Sequence, residues 1–200
     1  MTRFPITNVV GDLVDQHRNP DEQLYASLEL NQVAFPKTGM VVSQTPLGTA
    51  FTADDPCENG MWVVADKAAG AINPPAAATD SPIGIVYTTE KEYDREHYGL
   101  QRFGRKVAGD YPRVGIFGLG DTVTTNCLQY DESTYATFAA LETALNAIAT
   151  TPMYVAPVAG SPVPQLTATK PQSGTYAKVV KYYTIPNGGK GVKYQIVSLG

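Results

Sequence analysis

The sequence predicts a mainly β protein: a small β-barrel or sandwich with one α-helix (about residues 133–150) and an extended N-terminal arm. Three observations carry this expectation. Short runs of β-branched and aromatic residues recur between glycine- and proline-rich turns. Only one stretch repeats its apolar residues at spacings of three and four. Charged residues are 17% of the chain, whereas 18 glycines, 15 prolines and 12 tyrosines favour turns, strands and contact surfaces over a helical bundle. A chain of 200 residues buries roughly 70% of its unfolded surface, enough to fold without a metal or a disulfide.

Residues 1–35 read as the arm. They are polar, acidic and without clear periodicity, although Asn19-Pro20-Asp21-Glu22 has the composition of a first helical turn leading to Leu24 and Leu28. Such an arm buries little of its own apolar surface, so Phe4, Ile6, Val9, Val10 and Leu13 are expected to dock on a partner.

Residues 36–200 read as one β-rich domain. Lys37-Thr38-Gly39 is a turn before a first strand, Met40-Val41-Val42. Cys57-Glu58-Asn59-Gly60 is a turn signal, because Asn-Gly readily takes positive φ. Met61-Trp62-Val63-Val64-Ala65 follows as a strand, with Trp62 packed in the core rather than offered as a sugar platform. The alanine, glycine and proline of residues 66–80 suit an ordered loop or extended segment. Ile83-Gly84-Ile85-Val86-Tyr87 is the next strand.

Residues 88–110 form a charged excursion with nine charges between Glu90 and Lys106. Connections this long usually carry function or remain unstructured, so Tyr93, Tyr98 and Phe103 join the expected partner contacts. Residues 111–125 return to the sheet as a strand, a tight glycine turn and a second strand, read together as the closing strand pair of a small barrel. In residues 133–150, Phe138, Leu141, Leu145 and Ile148 share a helical face, Asp131 or Ser133 can cap its start, and Pro152 forbids continuation. Residues 153–158 read as a strand and 159–164 as a proline-punctuated connection. The chain closes with a hairpin over 176–197, turning through Pro186-Asn187-Gly188-Gly189-Lys190.

The net charge of −4 hides a gradient. Residues 1–60 hold eight acids against Arg3, Arg18 and Lys37, whereas residues 161–200 hold Lys170, Lys178, Lys181, Lys190 and Lys193 and no acid. The lysines read either as a solvated face that protects strand edges or as a surface complementary to a partner or a neighbouring copy. Without interleaved arginines they are a poor nucleic-acid footprint.

The chemistry of catalysis is not legible. Gly115-Ile116-Phe117-Gly118-Leu119-Gly120 has the wrong order for a dinucleotide loop and leads into a strand, not a helix. His17 and His97 have no second ligand at zinc spacing, and Cys57 has no paired base. Neither Asp54-Asp55 nor the acids Glu90, Glu92, Asp94 and Glu96 lie in a calcium loop. The expectation is a protein that is not an enzyme, with no cofactor, no metal and no catalytic residue. Cys57 and Cys127, the two cysteines, are not required to pair. Neither an apolar signal core nor a membrane-spanning run is read, which places synthesis in a cytoplasm.

One layout goes further than these readings. It runs Gly60-Met61-Trp62-Val63-Val64, a small-residue linker at 68–78, Pro82-Ile83-Gly84-Ile85-Val86, an excursion, then Arg113-Val114-Gly115-Ile116-Phe117-Gly118-Leu119-Gly120-Asp121. Over about residues 56–126 this resembles the head decoration, or cement, proteins of tailed bacteriophages. The resemblance implies a non-enzymatic virion protein that stabilises a capsid by bridging neighbouring subunits. Its implied partners are the major capsid protein and further copies of itself in a homo-oligomer, with no membrane and no specific nucleic acid. The excursion at 88–110, the helix and the lysine-rich end depart from the family's minimal pattern. They leave open a tail, fibre-base or head–tail connector component, and, outside the virion, a soluble carbohydrate- or ligand-binding β domain.

Overall fold

The computed structural model describes residues 41–66, 69–88, 106–184 and 190–200. They form a mainly β architecture of two sheets, with a curled half-barrel sheet and one helix. The first half of the fold supplies β1 (Val41–Val42), β2 (Trp62–Asp66), β3 (Ala71–Asn73), β4 (Ile83–Val86) and β5 (Val114–Ile116). These make an antiparallel sheet in the order β1-β5-β4-β2-β3. The second half supplies β6 (Thr122–Thr125), β7 (Gln129–Tyr130), α1 (Phe138–Asn146), β8 (Tyr154–Val158), β9 (Ser161–Thr167), β10 (Thr175–Thr184) and β11 (Lys190–Leu199). Their sheet has the order β6-β11-β10-β8-β9-β7, with β7 and β9 parallel.

The apolar runs of β2, β4 and β5 are continuous rather than alternating because the first sheet is buried on both faces. Trp62, Ile83 and Ile85 point into the main core, joined by Phe117. There they meet Val155 of β8, Leu166 of β9, Ala177 and Val179 of β10, Val192, Tyr194 and Ile196 of β11, and Leu141 and Leu145 of α1. Val63, Ala65, Val86, Val114 and Ile116 form a second core on the opposite face, with Leu47, Phe51, Cys57, Met61 and Cys127. Residues 43–61 cover that face and are tied down by the chain returning at 106–110. Leu47 N–H donates to Asp110 O at 2.9 Å, Ala108 N–H to Phe51 O at 2.9 Å, and Cys57 and Lys106 exchange both backbone bonds.

Gly84 permits the close pairing of β4 with β5. A Cβ there would stand 2.5 Å from Val114 Cγ1 and 2.9 Å from Gly115 O.

Residues 111–125 contain the two expected strands and the turn, with Gly120 at φ 91°. β5 and β6 do not pair, however: the turn carries the chain from the first sheet into the second. The expected closing strand pair is therefore a crossing between layers. Asp121 holds it, its Oδ2 accepting from Gly118 N–H at 2.6 Å.

The helix is shorter than 133–150. Thr137 caps it, its side chain accepting from Ala140 N–H at 3.2 Å. Asp131 instead closes the preceding turn by accepting from the Ser133 backbone and hydroxyl at 2.9 and 2.7 Å. Of the connection expected at 159–164, residues 159–160 are a turn and 161–164 belong to β9. Its Pro162 and Pro164 cannot donate ladder bonds, and the β8–β9 register shifts between Ala156 and Val158 in the stretch facing them. The C-terminal hairpin is present as β10 and β11, with bulges between Tyr176 and Ala177 and between Val179 and Lys181.

Candidate functional site

The residues expected to contact a partner fall in two segments. Phe4, Ile6, Val9, Val10 and Leu13 in the arm, and Tyr93, Tyr98 and Phe103 in the excursion, lie outside the described residues, as do His17, His97 and the acids at 90–96. Among the described residues, no group of three His, Cys, Asp or Glu side chains is placed to hold a metal ion, and no helix is long and apolar enough to cross a membrane.

Cys57 and Cys127 are free thiols buried in the second core. Burial pushes both up from the ordinary thiol range, and the Glu58 carboxylate adds to the effect. Both are held in the protonated form, which withholds the thiolate that a nucleophile needs. Trp62 has no exposed surface and donates from Nε1 to the Tyr194 hydroxyl at 2.9 Å, so it serves the core as expected. The glycine stretch 115–120 leads into β6 and opens no helix. The carboxylate that follows it, Asp121, is buried.

Asp121 is fully buried, and its Oδ1 has no hydrogen-bond partner. Burial raises its pKa from 3.8, outweighing the bond from Gly118 N–H, which favours the charged form. The native state therefore holds this proton more tightly than the unfolded chain does. Its stabilising contribution is complete below the ordinary carboxyl pKa and is lost as pH rises through the elevated native value. Urea unfolding between about pH 3 and pH 7 checks this: relative to Asp121→Asn, the native protein is expected to lose stability as pH rises. A difference that is flat, or that grows with pH, contradicts the assignment.

What remains accessible is a surface. In the second sheet Ala177, Val179, Tyr194 and Ile196 face the core, so the residues alternating with them face outward. Register places Lys178 opposite Gln195 and Tyr154, and Gln195 opposite Thr122. The next rung sets Lys181 opposite Lys193 and Lys193 opposite Thr124, which is fully buried, so this rung is covered at its β6 end. Lys178 and Lys181 are exposed, Lys193 is half-buried, and the bulged Val180 beside them is 53% exposed. Val197, at the other bulge, is 41% exposed.

Lys190, at the start of β11, lies 5.7 Å from the Tyr182 ring centroid. The Tyr182 hydroxyl donates to Glu142 of α1 at 2.8 Å, and burial together with that carboxylate pushes its pKa up. That end of the hairpin is thus engaged by the helix, while Lys178, Lys181 and Lys193 form a cationic outer face. The charge gradient along the chain foretells the sign of this surface. Membership of one face needs the register, because a bulge shifts the alternation between Lys178 and Lys181.

No protein-family model, curated protein or solved structure matches the chain.

Proposed function

We propose that this chain is a non-enzymatic virion structural protein that decorates and stabilises a phage capsid by binding across neighbouring capsid subunits. It is made in the host cytoplasm and joins the capsid surface, with the major capsid protein and further copies of itself as partners. The observation that best supports this reading is the placement of the three stretches on which the cement-protein likeness rests. Residues 60–64, 82–86 and 113–121 supply β2, β4 and β5, which lie side by side at the centre of one sheet. The likeness therefore concerns a contiguous structural unit and not scattered apolar words.

The physical design suits a scaffold. A sheet buried on both faces is a rigid platform. Many weak identical contacts on a lattice give avidity without one tight interface.

Two measurements test the proposal. The chain is expected at high, symmetric copy number over the shell of purified particles. Occupancy of a single vertex would instead make it a tail or connector component, and absence from particles with glycan binding would make it a ligand-binding domain. Deleting residues 1–35 is expected to abolish particle binding while leaving the thermal unfolding of the β domain unchanged. Undiminished binding by the truncated protein removes the arm from the mechanism.

A further inference from the structure

Among the described residues, 117–121 are the one passage of the chain between the two sheets, from the end of β5 to the start of β6. Backbone bonds fasten both of its ends. Phe117 N–H donates to Ile83 O at 3.2 Å, which ties the passage to β4. Gly120 N–H donates to Ile196 O at 2.9 Å and Ile196 N–H to Asp121 O at 2.8 Å, which tie it to β11. Gln195 Nε2 adds a bond to Gly120 O at 3.3 Å. Between these anchors Asp121 closes the turn twice on Gly118, its N–H donating to Gly118 O and its Oδ2 accepting from Gly118 N–H.

The closing side chain is at odds with its place. It is fully buried, yet Oδ1 has no hydrogen-bond partner. An ionised carboxylate left unsatisfied in such a site costs far more than a neutral carboxyl. Water is close at hand, because Leu119 on the same turn is 46% exposed and Gly120 is half-buried. A small outward movement of the turn hydrates the carboxylate and gives up the bonds to Gly118 and Ile196.

We propose that the Asp121 turn is a proton-controlled latch between the two sheets, closed on β11 while the carboxyl is neutral and opened locally when it ionises. The surroundings supply no compensating charge at Oδ1. Gly118, Leu119 and Gly120 on the turn, Thr122–Thr125 on β6, and Gln195, Ile196 and Val197 on β11 are not ionisable. In register, Lys178 of β10 stands opposite Gln195, and Lys193 of β11 opposite Thr124. Neither lysine partners Oδ1. Tyr194 stands opposite Val123, with its hydroxyl accepting from Trp62. In the loop before β4, the Asp80 carboxylate accepts from Ala76 and Ala77 N–H at 2.7 and 3.0 Å. Burial therefore governs Asp121 and raises its pKa from 3.8.

The closed turn holds this proton more tightly than the open, hydrated turn does. Closure is complete below the ordinary carboxyl pKa and weakens as pH rises through the elevated closed-state value. A single proton limits the change in open population to about tenfold per pH unit. The opening is confined to the turn and the adjoining ends of β6 and β11, so it precedes any loss of the whole fold. It is a property of the fold and does not depend on capsid binding.

Amide hydrogen exchange followed by NMR between about pH 3 and pH 7, corrected for the intrinsic pH dependence of exchange, is the experiment. Reference amides are Val86, which donates to Met61 O, and Val179, which donates to Met153 O, one in each sheet. Relative to them, protection at Gly118, Gly120 and Ile196 is expected to fall with rising pH, by up to about tenfold per unit. Asp121→Asn, which cannot ionise, is expected to hold the ratio constant. The Asp121 carboxyl carbon of the native protein, which needs no variant, is expected to titrate with a midpoint above 3.8. Three results overturn the proposal: protection at the turn that falls only in step with Val86 and Val179, a pH dependence equally present in Asp121→Asn, or a carboxyl midpoint at or below the ordinary value.

Discussion

Trp62→Ala is expected to destabilise the protein by about 3–5 kcal/mol, the usual range for deleting a large buried aromatic. Trp62 is the one tryptophan in the chain and has no exposed surface. Its ring meets Phe117 edge-on at 5.0 Å and Tyr194 at 5.7 Å, and its Nε1 donates to the Tyr194 hydroxyl. The residue therefore joins β2 of one sheet to β11 of the other through both contact and hydrogen bond. Alanine removes the packing and leaves the buried Tyr194 hydroxyl without its donor. A typical domain has only about 5–15 kcal/mol in total, so the loss is a large share of it. Urea unfolding followed by circular dichroism measures the effect. Trp62→Phe keeps most of the volume but loses the donor, and should cost less than alanine. A loss below about 1 kcal/mol in the alanine variant would place the joining of the sheets elsewhere.

Gly60→Ala is expected to cost about 3 kcal/mol, from two separate sources. Gly60 sits at φ 92°, where an L side chain is strained. A Cβ built there would lie 2.6 Å from Cys127 Cβ and 2.8 Å from Thr125 Oγ1. Neither neighbour is the free end of a long side chain: Thr125 and Cys127 are both buried, and the Thr125 hydroxyl already accepts from Cys127 N–H at 2.9 Å. Overpacking of about 1–3 kcal/mol then adds to the backbone strain. Gly70 provides the control, since it has φ 66° and open space where a Cβ would stand, with nothing within 4 Å. Gly70→Ala should show the strain without the clash, and the difference between the two variants, read by Trp62 fluorescence in urea, isolates the packing contribution. Equal losses would show that Cys127 and Thr125 yield freely.

Much of the fold is legible in the sequence because its signals are local. Asn59-Gly60 announces a positive-φ turn, Trp62 to Ala65 a strand, and the spacing of Leu141 and Leu145 a helix face. The departures arise where local pattern and sheet membership part company. Residues 111–125 have the strand–turn–strand pattern of a hairpin, but nothing local says that Thr122–Thr125 pairs with β11, some 70 residues later. Pro162 and Pro164 argue against a strand, and only the register shift opposite them makes β9 possible. The helix reads too long because Ala136 and Thr150 favour or tolerate helix, while the hydroxyl of Thr137 sets the start. For the site, composition alone indicates the sign and location of the cationic end. The grouping of Lys178, Lys181 and Lys193 on one face requires the bulge at Val180 to be known.

The strand order has a consequence for how the molecule is made. All five strands of the first sheet precede residue 117, and all six of the second follow residue 121. The ribosome thus delivers one layer before it begins the next. Until the second layer arrives, Trp62, Ile83, Ile85 and Phe117 have no cover on the main-core side. β11, the last of the described strands, then takes an interior place between β6 and β10. The second layer cannot close around Trp62 until residues 190–199 have left the exit tunnel. Co-translational folding of this protein must therefore hold half of its core open until β11 has emerged.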